Sequence, residues 1–277
     1  MESEYNTELV YYTYRMKSRY LTIGLLLAAW LATPAATIAV GTEAVTNFAQ
    51  TATLERSGSY NVTDEIDYDF ADTPPHDVVQ TIPLSYHDNQ GREFRMDFKL
   101  TAALVDGQPV ALTPVVTESA VRLNLPFGTS TAATRHYSLR YTLSPVVLEG
   151  VDQDILKLSV TGLGWSVPIN RASLRLETHT APTDNLTCYT GAQGSTNGSC
   201  EITQEGNVAT ITTDAALQPG DALSYFCDFP HASFTNYLIS TEPSHSWTGL
   251  AVIATAILVL IVLVVVAAVW GLRRSRL

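Results

Sequence analysis

The sequence predicts an all-β protein, with an antiparallel β-sandwich held outside the cytoplasm between an N-terminal signal or anchor helix and a C-terminal transmembrane helix. Three observations predict it. Apolar residues alternate with polar ones at period two over much of the segment 46–237, and no helical period of useful length appears between Gln50 and Tyr237. The alternating runs are short and separated by Gly, Pro and Asn turn signals, the spacing of a sandwich. Two charge-free apolar runs bound the segment, one on each side.

Residues 1–19 are polar and carry Arg15, Lys17 and Arg19 just before the first apolar run. Residues 20–42 hold no charge, and their hydrophobic centre, Leu21 to Ala32, is short. Pro34 and the small-residue stretch Ala35 to Gly41 come next, which is the layout of a secretory signal with Ala39-x-Gly41 as a cleavage site. The same run also reads as an uncleaved first span, because Gly24, Ala28, Ala32 and Ala36 recur every four residues and could pack on another helix. Both readings export the segment after Thr42 and leave residues 1–19 cytoplasmic.

Within the exported segment, Thr51 to Glu55 reads as a strand and Arg56-Ser57-Gly58-Ser59 as a turn. Tyr60 to Phe70 is the next strand, with Val62, Ile66, Tyr68 and Phe70 on one face and Asn61, Thr63, Glu65, Asp67 and Asp69 on the other. That carboxylate ladder reads as a solvated face or a place for a cation. A single strand cannot supply the six to eight oxygens that calcium takes. Val78 to Tyr86 and Glu93 to Leu104 read as strands about His87 to Gly91, with Phe94, Met96, Phe98 and Leu100 alternating with Arg95, Asp97 and Lys99. Further strands are expected at Val110 to Val116, Ser119 to Leu125, Tyr137 to Val147, Ile155 to Val160, Ser173 to Glu177, Val208 to Thr212 and Ala222 to Phe229. Strand spacing leaves open one sandwich or two smaller β domains.

The run 249–272 closes the chain. From Leu250 to Leu272 it holds no charge, proline or amide side chain. As a helix it reaches roughly 34 Å, enough to cross a bilayer. Trp247 and Trp270 stand where aromatic residues anchor a span at its two interfaces. Arg273, Arg274 and Arg276 lie in the basic tail 273–277, which the positive-inside bias places in the cytoplasm.

The charge balance narrows the partners. Three of the 27 acidic residues precede Thr42 and none follows Trp247, which leaves 24 between them. Three of the 16 basic residues precede that segment and three follow it, which leaves 10. An excess of 14 negative charges argues against nucleic acid as a partner and against docking on anionic lipid.

Few residues suggest chemistry. Cys188 and Cys200 bracket a loop rich in Gly, Ser, Thr and Asn, and export permits the disulfide that would fasten it. Cys227 shares its strand parity with Leu223, Tyr225 and Phe229 and is expected in the core as a free thiol. The histidines His76, His87, His136, His179, His231 and His245 show no metal-ligand spacing, so no metal and no cofactor is expected. There is no nucleophile elbow and no phosphate loop. Trp165, after Gly162-Leu163-Gly164, reads either as a core aromatic or as the wall of a groove for a sugar or peptide.

Several stretches together resemble a known family. They are Ser57 to Phe70, Ile82-Pro83, His136 to Tyr141, Gly162-Leu163-Gly164-Trp165-Ser166-Val167-Pro168-Ile169 and Cys188-Tyr189-Thr190-Gly191. In this order and spacing they resemble the YciQ-like predicted membrane proteins, a bacterial family built on a domain of unknown function, over Thr51 to Phe234. The chain departs from that pattern at Leu158-Ser159, where the family has Trp-Asn, and around Gln80, where it has an arginine. Longer members continue past the anchor into more spans, so no cytoplasmic output is carried over. The resemblance implies an exported β-rich domain on a membrane anchor. The expectation is a non-enzymatic module of the cell envelope that binds another envelope protein or a wall polymer. The rival is an envelope hydrolase using Asp67 or Asp69 with His76 or His87.

Overall fold

The computed structural model describes residues 41–87, 92–129, 131–183 and 185–241. The chain runs through β1 (Ala44–Leu54), β2 (Tyr60–Asp69), β3 (Val78–Pro83), β4 (Ser85–His87), β5 (Glu93–Arg95) and β6 (Asp97–Val105). Next come β7 (Gln108–Pro109), β8 (Val115–Val116), β9 (Ala120–Leu125), β10 (Thr134–Ser144), β11 (Val147–Glu149) and β12 (Gln153–Ser159). The last are β13 (Ala172–Thr178), β14 (Leu186–Gly191), β15 (Cys200–Glu205), β16 (Val208–Thr213), β17 (Ala222–Pro230) and β18 (Ser240–Thr241). The regular structure of the described residues is all β.

These strands form four sheets. The largest has the order β15-β16-β13-β1-β2-β10-β6-β7, and the others are β11-β12-β17-β14, β18-β5-β4 and β3-β9-β8. One strand pair departs from the expected antiparallel pattern. β1 and β13 run parallel, with Phe48 opposite Ala172 and Leu54 opposite Thr178. These strands are far apart in sequence, and a parallel pair needs such a long crossover.

The large sheet turns one face inward. Phe48, Ala52 and Leu54 of β1, Val62, Ile66 and Tyr68 of β2, and Tyr137, Leu139 and Tyr141 of β10 are all buried there. Two sheets meet that face. Tyr225 of β17 donates to Tyr60 Oη of β2 at 3.0 Å, and Gln80 of β3 reaches Asp64 of β2 at 2.9 Å. The inner residues of β12 and β17, Leu156, Leu158, Leu223, Cys227 and Phe229, join the same core.

Some expected elements change. β1 begins at Ala44, seven residues ahead of Thr51. The expected strand 93–104 is two strands, broken where Met96 N–H bonds Leu84 O at 2.8 Å. Within β6 the pairing with β10 shifts register at Arg140/Tyr141. After that bulge Ala103 and Val105 take over the inward parity from Phe98 and Leu100, because an extra residue reverses the faces of a strand. Among the described residues no helix is long and apolar enough to cross a membrane. The run 249–272, Trp247, Trp270, Arg273, Arg274, Arg276 and the segments 1–19 and 20–40 lie outside the described residues.

Candidate functional site: a groove between two strand edges

The outer face of β12, β17 and β14 forms a floor. Ser159 of β12 stands opposite Ser224 of β17, and Ser224 opposite Tyr189 of β14. The next row is Lys157, Phe226 and Thr187. A row of three hydroxyls beside a row with one ammonium follows from period two, since each of these residues sits on the parity opposite the core. Above this floor lies a groove of about 570 Å³, within the size range of sites that hold small ligands.

One wall comes from the end of β3, Ile82 and Pro83, and from β4, with Met96 and Leu163 beside them. The turn at Gly162 fixes this wall. Leu163 N–H bonds Thr81 O at 2.9 Å, and a Cβ on Gly162 would stand 2.3 Å from that same oxygen. Gly162 also has φ of +75°, so glycine answers both a conformational and a steric requirement. The opposite wall is the turn 191–195, where Ser195 N–H bonds Ala192 O at 2.9 Å. Cys188 and Cys200 are joined in a disulfide, which closes the base of the loop that carries this wall.

Trp165 does not line the groove. It is 3% exposed, its indole N–H donates to Thr161 O at 2.8 Å, and its ring meets Phe48 edge-on and Tyr68 at a tilt. Its place is in the core under the turn that carries Leu163. The groove reading of this residue is corrected on that burial. Cys227 is buried and free, and burial pushes its thiol pKa up, away from thiolate chemistry.

Behind the β3 wall lies a buried polar cluster that the sequence pattern alone did not single out. Asp64 is fully buried on the inner face of β2. It accepts from Gln50 Nε2 at 2.8 Å, Gln80 Nε2 at 2.9 Å and Tyr141 Oη at 3.0 Å. Gln50 Nε2 also donates to Val160 O at 3.0 Å, and Tyr60 Oη donates to Gln50 Oε1 at 3.3 Å. Burial pushes the Asp64 carboxyl up to about 6, against the pull of its three hydrogen-bond donors. The cluster ties β1, β2, β3 and β10 together and anchors the chain just ahead of the Gly162 turn. Asp64 has the parity of Val62 and Ile66, and that was the available signal.

The carboxylate ladder on the other face of β2 meets a histidine. His136 of β10 stands opposite Asp67 in register, with Nδ1 2.7 Å from Asp67 Oδ1 and Nε2 2.8 Å from Glu65 Oε2. Ser138 donates to Glu65 Oε1 at 2.9 Å. Asp67 and then Glu65 raise the His136 pKa, and burial opposes them. All three side chains are more than a third exposed. The pairs expected of a hydrolase are not brought together. His76 lies 3.0 Å from Glu43, Asp69 caps Ala71 N–H, and His87 is an exposed groove residue. Among the described residues no group of three or more His, Cys, Asp or Glu is arranged to hold a metal ion.

Comparison with known proteins gives one clear relation. No curated protein matches the sequence. Among solved structures, an M1 zinc metallopeptidase from Deinococcus radiodurans aligns at 15% identity with a TM-score of 0.36, over 66% of this chain and 42% of that one. Leukotriene A4 hydrolase from Saccharomyces cerevisiae aligns at 5% identity with a TM-score of 0.45, over 67% of this chain and 29% of that one. The chain thus spans less than half the length of these proteins, and both scores are too low to support a functional statement. The family model described as the N-terminal domain of a predicted membrane protein (DUF2207) matches residues 44–225, nearly all of the described strands, and the chain belongs to that family.

Proposed function

We propose that this chain is a membrane-anchored, extracytoplasmic module of the bacterial cell envelope, a β-sandwich that works by binding and not by catalysis. Its groove takes another envelope protein or a wall polymer. The observation that carries the reading is the groove, with its hydroxyl-bearing floor, one wall of apolar side chains and the other a disulfide-closed turn. Preformed concave sites of this size, mostly apolar with a few placed polar groups, are built to hold ligands. The β3 wall is backed by buried structure and the turn 191–195 is closed at its base by the disulfide, so binding there costs little ordering. The family relation supports a place at the membrane. The run 249–272 supplies an anchor, and a domain tethered to the membrane meets neighbouring components at raised effective concentration.

The test is photo-crosslinking in intact cells, with a photoreactive residue at Ser224 on the groove floor and, as control, at Thr63 on the outer face of β2. A discrete adduct from position 224 and none from position 63 is expected. Adducts from position 63 alone would move the binding surface elsewhere. Cleavage of wall or peptide substrates by the purified full chain, with no adduct at either position, would overturn the binding reading.

A further inference from the structure

Three Asn-x-Ser/Thr tripeptides lie between Thr42 and Trp247: Asn61-Val62-Thr63, Asn185-Leu186-Thr187 and Asn197-Gly198-Ser199. In an exported chain this tripeptide is the acceptor for an N-linked glycan, and the acceptor must stand at the surface. The fold treats the three differently. Asn61 belongs to β2, inside the large sheet, opposite Thr53 of β1 and Thr142 of β10. Both sides of its backbone are held in ladders, so this tripeptide cannot rise into an enzyme's site without breaking two strand pairs. Asn185 is tied down by its own amide. Its Nδ2, the atom that would carry a sugar, donates to Asp228 Oδ2 at 2.5 Å, and Asp228 is fully buried.

Asn197 differs on each point. It is exposed, in the loop between β14 and β15. Thr190 N–H donates to Asn197 O at 2.7 Å and Asn197 N–H donates to Ser195 Oγ at 3.2 Å, so the backbone is pinned while the side chain is presented. Ser199 Oγ donates to Asn197 Oδ1 at 3.1 Å, which folds the hydroxyl of the tripeptide back onto its amide in a tight turn. Among the described residues Asn197 Nδ2 donates to no group. Gly198, the middle residue, has no side chain to crowd an approach to that nitrogen. The disulfide from Cys188 to Cys200 closes just behind the tripeptide and keeps the turn outside the sheets.

We propose that Asn197 is an N-glycosylation site, the one of the three tripeptides that the folded domain presents to a transferase. This rests on the domain being exported, as the proposed function has it. The donor is an oligosaccharide carried on a lipid pyrophosphate. Asn197 Nδ2 forms the bond to the anomeric carbon of the first sugar, and the bond from that carbon to the phosphate oxygen breaks. The lipid pyrophosphate leaves with the electron pair, and Nδ2 gives up one proton to a base of the transferase. The glycan then stands two residues beyond Ser195, at the rim of the groove.

The test is mass spectrometry of the full chain, purified from the cells that make it and digested without reduction. The peptide holding Asn197 is expected to carry sugar masses, and the peptides holding Asn61 and Asn185 none. Asn197→Gln removes the sugar. Ser199→Ala also removes it although Asn197 remains, and Ser199→Thr keeps it, which shows that the tripeptide is read as an acceptor. Near-ultraviolet circular dichroism checks that each variant folds. Sugar on all three asparagines would mean transfer to the unfolded chain and would overturn the selection by fold, as would sugar on Asn61 or Asn185 alone. A bare Asn197 in a peptide still linked through Cys188 and Cys200 would overturn the glycan and leave the export reading standing, because that bond persists on the oxidising side of the membrane. A bare Asn197 with both thiols reduced would overturn the two together.

Discussion

Replacing Asp64 by asparagine isolates one buried carboxyl. In the fold its pKa is pushed up to about 6 from an ordinary 3.8, chiefly by burial. A raised carboxyl binds its proton more tightly folded than unfolded. Below pH 3.8 both states hold the proton and the group adds nothing. Between about pH 4 and 6 the unfolded chain ionises first, so folding stability falls as pH rises. Above about pH 6 the loss is complete and stays level. A difference of about two pKa units converts to roughly 3 kcal/mol at about 1.4 kcal/mol per unit. The Asp64→Asn variant has no proton to release at this position. With its amide oxygen in the place of Oδ1 it keeps the Gln50 donor, and its amide nitrogen in the place of Oδ2 donates to Gln80 Oε1, buried without a hydrogen-bond partner, once Gln80 turns, and to Tyr141 Oη. The assay is urea unfolding of the full chain in mild detergent at pH 4, 5, 6 and 7, followed by near-ultraviolet circular dichroism. Wild type minus Asp64→Asn should fall by roughly 2.4 kcal/mol between pH 4 and 7, the rest of the roughly 3 kcal/mol lying below pH 4, with most of the change complete by pH 6. A difference that is constant with pH would refute the assignment of a raised pKa to this carboxyl.

Three further outcomes are expected. Gly162→Ala puts a Cβ 2.3 Å from Thr81 O at a φ of +75°, and should lower stability by at least ~2 kcal/mol in the same urea assay. The Cys188→Ser, Cys200→Ser double variant opens a loop with a sequence separation of 12, and should lose about 3 kcal/mol and expose the amides of 191–195 to faster hydrogen exchange. His136→Ala should cost more at pH 6 than at pH 9, since a raised histidine stabilises below its unfolded pKa and loses that effect as pH climbs through the folded one; with these exposed partners the cost is under ~1 kcal/mol by urea midpoint.

What the sequence showed and hid divides along the physics of strands. Period two gave the inward face of β2, and the pairing of Cys188 with Cys200 came from loop composition and strand parity at Cys227. β14 and β15 escaped because β15 is a mostly exposed edge strand, Cys-Glu-Ile-Thr-Gln-Glu, with no apolar alternation. The bulge in β6 escaped because an inserted residue changes parity without changing composition. Trp165 was ambiguous because an aromatic after a Gly-x-Gly turn packs equally well inward or outward; its N–H found Thr161 O, and that settled it. The groove was out of reach. Its walls come from β4 and from the turn after β14, about a hundred residues apart, and nothing local in either says that they face each other.

The Asp64 cluster marks a different limit, one that sequence reading can cross. Alternation says which face a residue takes but not what it meets there, so a single acid on an apolar parity looks like an error in phase. Here the exception has company. Gln50 stands between Phe48 and Ala52 on the inward parity of β1, and Gln80 between Val78 and Ile82 on that of β3. Each is a polar side chain where its strand asks for an apolar one, and each is 3% exposed or less. A buried amide or carboxyl without a partner costs several kcal/mol, so such residues persist when they satisfy one another. Three parity violations on three strands therefore predict a mutual contact and bring β3 onto β1 and β2. In this fold that contact sits behind the groove's β3 wall, and the register it imposes on Thr81 and Leu163 is what positions that wall.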